Sequence, residues 1–237
     1  MTLRRVSTVD LLADELRREI LDGKLAAGSR LRERELCETY GVARHSLRAA
    51  LRTLAADGLV AIEPHRGASV ARLGAEDVRG LYELRAALEL EAAHLALERH
   101  DGRLPQGVHD ALAELAEACA GGEWSEVNEA HAGLHGAIVA AAESPRIAAA
   151  HAALNGEMRL FLLQLQPHVP LDELLASHRA LVEGLEAQGP AVMRAHLRDA
   201  AETLVGAEAH RAGRTALLPS ARLEEGDATR PGGGRTL

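Results

Sequence analysis

A chain of 237 residues exceeds the usual single domain and suffices for two, each burying its own core. Hydrophobic residues make up 47% and charged residues 26%, as in a soluble globular protein, while aromatics at 2% leave the cores to Leu, Ala, Val and Ile, a composition that favours helices. The formal net charge of -8 by itself argues against a nucleic-acid partner, but the charge is uneven: residues 1–73 carry 13 Lys and Arg against 10 Asp and Glu, and residues 74–237 carry 14 against 25. A basic module on an acidic remainder is the asymmetry expected when one region alone meets phosphate.

Ser7 and Thr8 precede Leu12, Leu16 and Ile20 at four-residue spacing, and Gly23 follows, which predicts an amphipathic helix over 8–22. LAAGSRL reads as a glycine-containing loop. A short second helix is expected over 32–40, with Leu36 and Tyr40 on one face, and a third over 43–56 with Leu47, Leu51 and Leu54 inward. The three-residue connection Tyr40-Gly41-Val42 suits a helix-turn-helix corner. Beyond it, 59–62 and 68–71 are strand candidates separated by the turn Glu63-Pro64-His65-Arg66-Gly67. Three helices and a hairpin make a winged helix-turn-helix over 1–73.

With its leucines inward, the third helix carries Arg44, His45, Ser46 and Arg48 in its first turns, where a recognition helix presents side chains to base edges in the major groove. Arg34 at the start of the second helix is placed for a phosphate, and His65, Arg66 and Gly67 at the wing tip for the adjacent groove. Any one of these arginines also fits a plain solvated face; the order of the elements is what favours DNA.

Residues 74–212 show no strand pattern and break at 102–105, 121–122, 144–145, 167–170 and 189–190, giving about six helices. The remainder, 213–237, is rich in Gly, Pro, Thr and charge and is expected to be disordered. In the bundle, His131 and His135 stand one turn apart, so both imidazoles can face one ion. His178 and His196 lie on two later helices that a bundle can bring to the same cavity. The remaining histidines there, His94, His100, His109, His151, His168 and His210, lack such spacing and read as surface or core residues.

Cys37 and Cys119 form no CxxC pair and suggest no disulfide framework, which fits a reducing compartment. No run of 18 apolar residues occurs, and MTLRRVSTVD lacks the apolar stretch of a signal peptide, so a cytoplasmic location is expected.

Leu31-Arg32-Glu33-Arg34-Glu35-Leu36, the run from Tyr40 to Leu51, Leu54 to Gly58, and Arg66-Gly67-Ala68-Ser69-Val70 together resemble the GntR family of transcription regulators. The family usually has Ser or Thr where this chain has Ala43, so a hydroxyl that would cap the third helix or bond a phosphate is missing. The segments Leu81 to Glu89, Leu134-His135, Glu143 to Ile147, Ser177 to Leu181 and His196-Leu197 resemble the FCD effector domain of the FadR-type branch.

That resemblance implies a mainly α protein: a winged helix-turn-helix followed by an all-α FCD-like bundle. It further implies a homodimer on double-stranded operator DNA, a repressor role, and a small carboxylate effector held near a divalent metal by one Asp and three His. Carried over, His135, His178 and His196 match the three histidines and His131 stands at the Asp position, a donor set that suits Zn or Ni better than Mn or Mg. The interval from His178 to His196 is about one turn shorter than usual in the family. Arg85 matches an arginine near the bound carboxylate, with an i,i+4 pair to Glu89 as its alternative role; Asn155 and Arg159 are further candidates for the cavity wall. A regulator answering to metal alone, or a metal-dependent hydrolase, would use the same histidines. The hydrolase has no HExxH-type carboxylate beside the pair, so no enzyme is expected.

Overall fold

The computed structural model describes residues 7–165 and 170–216. The first helix, α1 (Thr8–Leu21), starts at a reciprocal cap: the Asp10 amide donates to Ser7 Oγ at 3.1 Å while the Asp10 carboxylate accepts from the Ser7 amide. It packs on α3 (Arg44–Ala56), and α2 (Glu33–Tyr40) joins α3 through Gly41, whose φ of 63° closes α2 in the left-handed conformation. Leu12, Leu16, Ile20, Leu47, Leu51 and Leu54 are buried, as their spacing predicts.

The wing has one more strand than the sequence pattern suggests. β1 (Arg30–Leu31), β2 (Val60–Glu63) and β3 (Gly67–Val70) form an antiparallel sheet in the order β1-β3-β2, with Arg30 opposite Ser69 and Val60 opposite Val70. β1 lies inside the segment expected to be a loop. Two residues are too short for a period-2 signal, and the strand exists because β3 offers its free edge.

Among the described residues seven helices follow, against the six expected: α4 (Ala75–Arg99), α5 (Gln106–Gly121), α6 (Trp124–Ala141), α7 (Pro145–Ala152), α8 (Asn155–Leu165), α9 (Leu171–Gln188) and α10 (Ala191–Ala216). The extra boundary falls between α7 and α8, where no Gly or Pro punctuates the chain before Gly156. The four residues 213–216, expected to belong to a disordered tail, continue α10; residues 217–237 lie outside the described part.

The turn between α7 and α8 redirects α8 so that it serves two cores. Leu160 is packed into the winged-helix core, whereas Met158, Phe161 and Leu162 belong to the bundle core. Gly156 lies directly against the C-terminal cap of α3: a Cβ there would stand 2.3 Å from the Asp57 carbonyl oxygen. Asp57 is in turn held by Arg17 of α1 at 2.7 Å, and the Leu73 amide donates to the Gln164 side chain.

Candidate metal centre and nucleic-acid interface

The residues expected to read DNA are almost all exposed: Arg34, Arg44, His45, Arg48, His65, Arg66 and Gly67, with Ser46 half-buried. Ala43 is the N-cap of α3 and makes no side-chain cap bond, leaving amides of the first turn free for an anion such as phosphate. Arg48 differs from Arg44. Its Nε and Nη2 donate to Glu33 of α2 at 2.8 and 3.0 Å, a two-pronged pair that braces the helix-turn-helix corner. Arg34 approaches Glu38 only at 3.7 Å, and Arg66 approaches Glu63 at 3.1 Å beside His65, which has φ 65° at the wing tip.

Inside the apolar core of the bundle a group of polar side chains is also buried. α6 supplies His131 and His135, and α9 supplies His178, with one ligand atom from each of the three within 4.8 Å of the others. The hydrogen bonds fix two tautomers. His178 Nδ1 lies 2.7 Å from the Leu174 carbonyl oxygen, which only accepts, so Nδ1 carries the proton. His135 Nδ1 lies 2.7 Å from Glu89 Oε2. Burial alone would raise the Glu89 carboxyl, but Arg85 and His135 hold it well below its ordinary range, so it too is an acceptor.

Both Nε2 atoms are therefore bare, and they face each other at 3.2 Å. Two lone pairs at that distance repel unless a cation or proton lies between them. Two nitrogens on one tetrahedral ion with bonds of ~2.0–2.1 Å stand ~3.3 Å apart. His131 Nδ1 is buried with no hydrogen-bond partner, a third nitrogen that no protein group engages. Burial, reinforced by the neighbouring imidazoles, pushes His131 far below the ordinary histidine range and His178 down to about 3. Neutral imidazoles are what a metal needs. The residues present fit a divalent ion.

His196 of α10 packs beside these three, its ring 4.7 Å from that of His178 and 5.6 Å from that of His135. Burial pushes it down to about 2, so it is neutral as well. Arg85 lies 2% exposed, its Nε donating to Glu89 Oε1 at 2.6 Å, so the i,i+4 pair is formed. Its guanidinium sits over the Tyr82 ring and close to Met158 Sδ. Asn155 lines a small pocket behind the imidazoles together with Arg85 and His151. Arg159 does not line it; its Nη2 lies 3.7 Å from Glu129 of α6, and its Nε is buried without a hydrogen-bond partner.

A cavity of about 640 Å³ opens from the imidazoles between α9 and α10. Its inner end is formed by Arg85, His131, His135 and His178, its walls by Leu174, Leu181, Val192 and Leu204. Among the described residues no helix is long and apolar enough to cross a membrane.

A family model described as bacterial regulatory proteins, gntR family, matches residues 8–70, and one described as FCD domain matches residues 80–203. The chain is 31% identical over 210 residues, 88% of its length, to the probable D-xylose utilization operon transcriptional repressor of Paenarthrobacter nicotinovorans, covering 92% of that protein.

The chain belongs to the GntR family.

It is a DNA-binding transcription regulator with an FCD domain, and these families and relatives are regulators, not enzymes. A transcriptional regulator of Rhodococcus sp. RHA1 has the same architecture, with a TM-score of 0.70 and 28% identity over 84% of this chain and 97% of that one. E. coli McbR/YncC shares the fold, with a TM-score of 0.67 at 21% identity, covering 88% of this chain and 100% of that one.

Within this GntR-family chain, two participants escape sequence reasoning. Glu89 enters there only as a partner for Arg85, and His151 only as a core or surface residue. In the structure Glu89 is fully buried and joins Arg85, His135 and, at 3.1 Å, His151 of α7. The i,i+4 spacing of Arg85 and Glu89 was the signal for the first. Nothing near His151 in the sequence marks it, since its partner is 62 residues away.

Proposed function

We propose that this chain represses transcription as a homodimer, its winged helices reading a roughly two-fold operator and its FCD domain holding a divalent metal, zinc or nickel, beside a small organic acid. Residues 1–73 form the DNA-reading unit and 74–212 the effector and dimer unit, acting in the bacterial cytoplasm. The observation that carries the metal is the pair of bare Nε2 atoms of His135 and His178 at 3.2 Å.

His131, His135 and His178 would hold the ion, with His196 as the fourth donor within reach. When bound, the ion would supply positive charge, and a carboxylate would compete with His196 for its fourth position. The residues around it do the rest. Leu174 and Glu89 fix which nitrogen each imidazole presents, and Arg85 adds a buried cation. Replacement of the usual Asp by His131 removes the one anionic ligand, so a bound acid meets a more positive site.

Effector binding shifts operator affinity only through a difference in its affinity for the two arrangements of the winged helices. The cavity of about 640 Å³ beyond the triad favours an organic effector over metal alone. Repression is supported by the repressor role named for the Paenarthrobacter relative.

Metal analysis of untagged protein, wild type against His135→Ala, tests the centre. We expect one ion per chain in the wild type and none in the variant. Absence of stoichiometric metal from both after zinc or nickel loading overturns it. Anisotropy titrations of the metal-loaded protein on DNA flanking its own gene, with and without candidate acids, test the gating.

A further inference from the structure

The mouth of the cavity has a chemistry that narrows the effector. Four side chains carry oxygen there: Glu173 and Ser177 on α9, Asp199 and Thr203 on α10. Ser177 Oγ donates its proton to the Leu174 carbonyl and Thr203 Oγ1 donates to the Asp199 carbonyl, each at 2.9 Å. Both hydroxyls have thus used their single donor on backbone and offer lone pairs alone. Glu173 and Asp199 are carboxylates.

Arg198 grips Asp199 Oδ1 from outside the cavity and leaves Oδ2. The N-terminal turn of α9, which would otherwise welcome an anion, already carries Asp172 and Glu173. Arg85 is the sole cationic side chain among the described residues that line the cavity, and it sits at the far end, paired with Glu89. The cavity therefore has an imidazole-lined inner end, where the buried His131 Nδ1 has no partner, and a mouth whose polar side chains, among the described residues, only accept.

We infer that the effector is a monocarboxylate whose distal end carries hydrogen-bond donors, hydroxyl or ammonium, and that diacids are rejected. This rests on the reading above that the acid binds beside the metal. The acid end faces the imidazoles. The far end must donate, because each polar side chain at the mouth among the described residues accepts, and a second carboxylate there would meet Glu173 and Asp199 at the cost of like-charge repulsion. Apolar walls between the two ends suit a linear chain of carbons.

Calorimetry on zinc-loaded, untagged protein with gluconate, 5-aminopentanoate and glutarate as probes tests this. At least one of the first two should bind roughly ten-fold or more tighter than glutarate, a gap of ~1.4 kcal/mol or more. In the Glu173→Gln/Asp199→Asn variant, whose exposed positions are not part of either core, the preference should shrink to within about three-fold. Glutarate binding as tightly as the others, no binding by any of the three, or an unchanged preference in the variant overturns the inference. Zinc content measured on the same samples separates the two readings: a zinc-free protein that still prefers the donor-bearing acids loses the metal and keeps the selectivity.

Discussion

The two halves of this regulator place their polar groups on opposite sides. In the winged helix, Leu47, Leu51 and Leu54 of α3 go inward and Arg44, His45 and Arg48 go outward. In the bundle, α4 and α6 turn Arg85, Glu89, Asn128, His131 and His135 inward, and each buried polar or charged residue among the described ones lies in this half. Burying such groups costs free energy unless each finds a partner. The first region is thus stable by ordinary packing and free to spend its surface on DNA, whereas the second holds a polar centre that is only partly satisfied without a ligand.

Acid should strain this contrast most. Below about pH 6.5 an unfolded chain protonates its histidines, while His178 and His196 in the fold, at about 3 and about 2, refuse the proton. The unfolded state then binds more protons, so stability falls as pH drops from 6.5 towards 3. By pH 5 each of the two groups should contribute roughly 2 kcal/mol of that loss. Melting of metal-free protein at pH 7.5 and pH 5 measures it, and an equal midpoint at both would contradict the burial of neutral imidazoles.

Next in size is Glu89→Gln, which leaves Arg85 as an unpaired buried charge and should destabilise the chain by about 3–5 kcal/mol. Arg44→Ala is the counterpart on the outward face: operator affinity should drop about 10- to 100-fold with an unmoved melting temperature. A lower midpoint in that variant would mean that Arg44 holds the fold and not the DNA.

Gly156→Ala forces a methyl towards the Asp57 carbonyl oxygen and should cost about 1–3 kcal/mol, read from denaturant midpoints. The smallest effect is expected from Glu33→Gln. Releasing Arg48 from its carboxylate should raise operator affinity a few-fold if Arg48 reaches DNA, and lower it if its service is to brace the corner.

The winged helix was legible because its boundaries carry their own chemistry. Ser7, Gly41 and the wing turn punctuate it, and leucines recur at helical spacing. β1 was not, since two residues acquire strand character only from the β3 edge. The division of α7 from α8 was invisible for a related reason: Ala152, Ala153 and Leu154 have no aversion to helix, and tertiary packing ends it there. In the candidate centre, the His131–His135 spacing is local and readable. The tautomers that give the centre its meaning come from Leu174 and Glu89, and the latter lies 46 residues from His135.

Leu160 adds a constraint on how such a protein can change over evolutionary time. Its side chain completes the hydrophobic interior of a unit that sequence would end near residue 73. A winged helix cut free at that point, or grafted onto an unrelated sensor, would carry an open socket, a loss comparable to the ~2–5 kcal/mol of a buried Leu→Ala change. Recombination that exchanges the C-terminal domain on this DNA reader must therefore bring along a helix with an aliphatic residue at the matching place. The C-terminal domain is covalently one module and sterically a part of two.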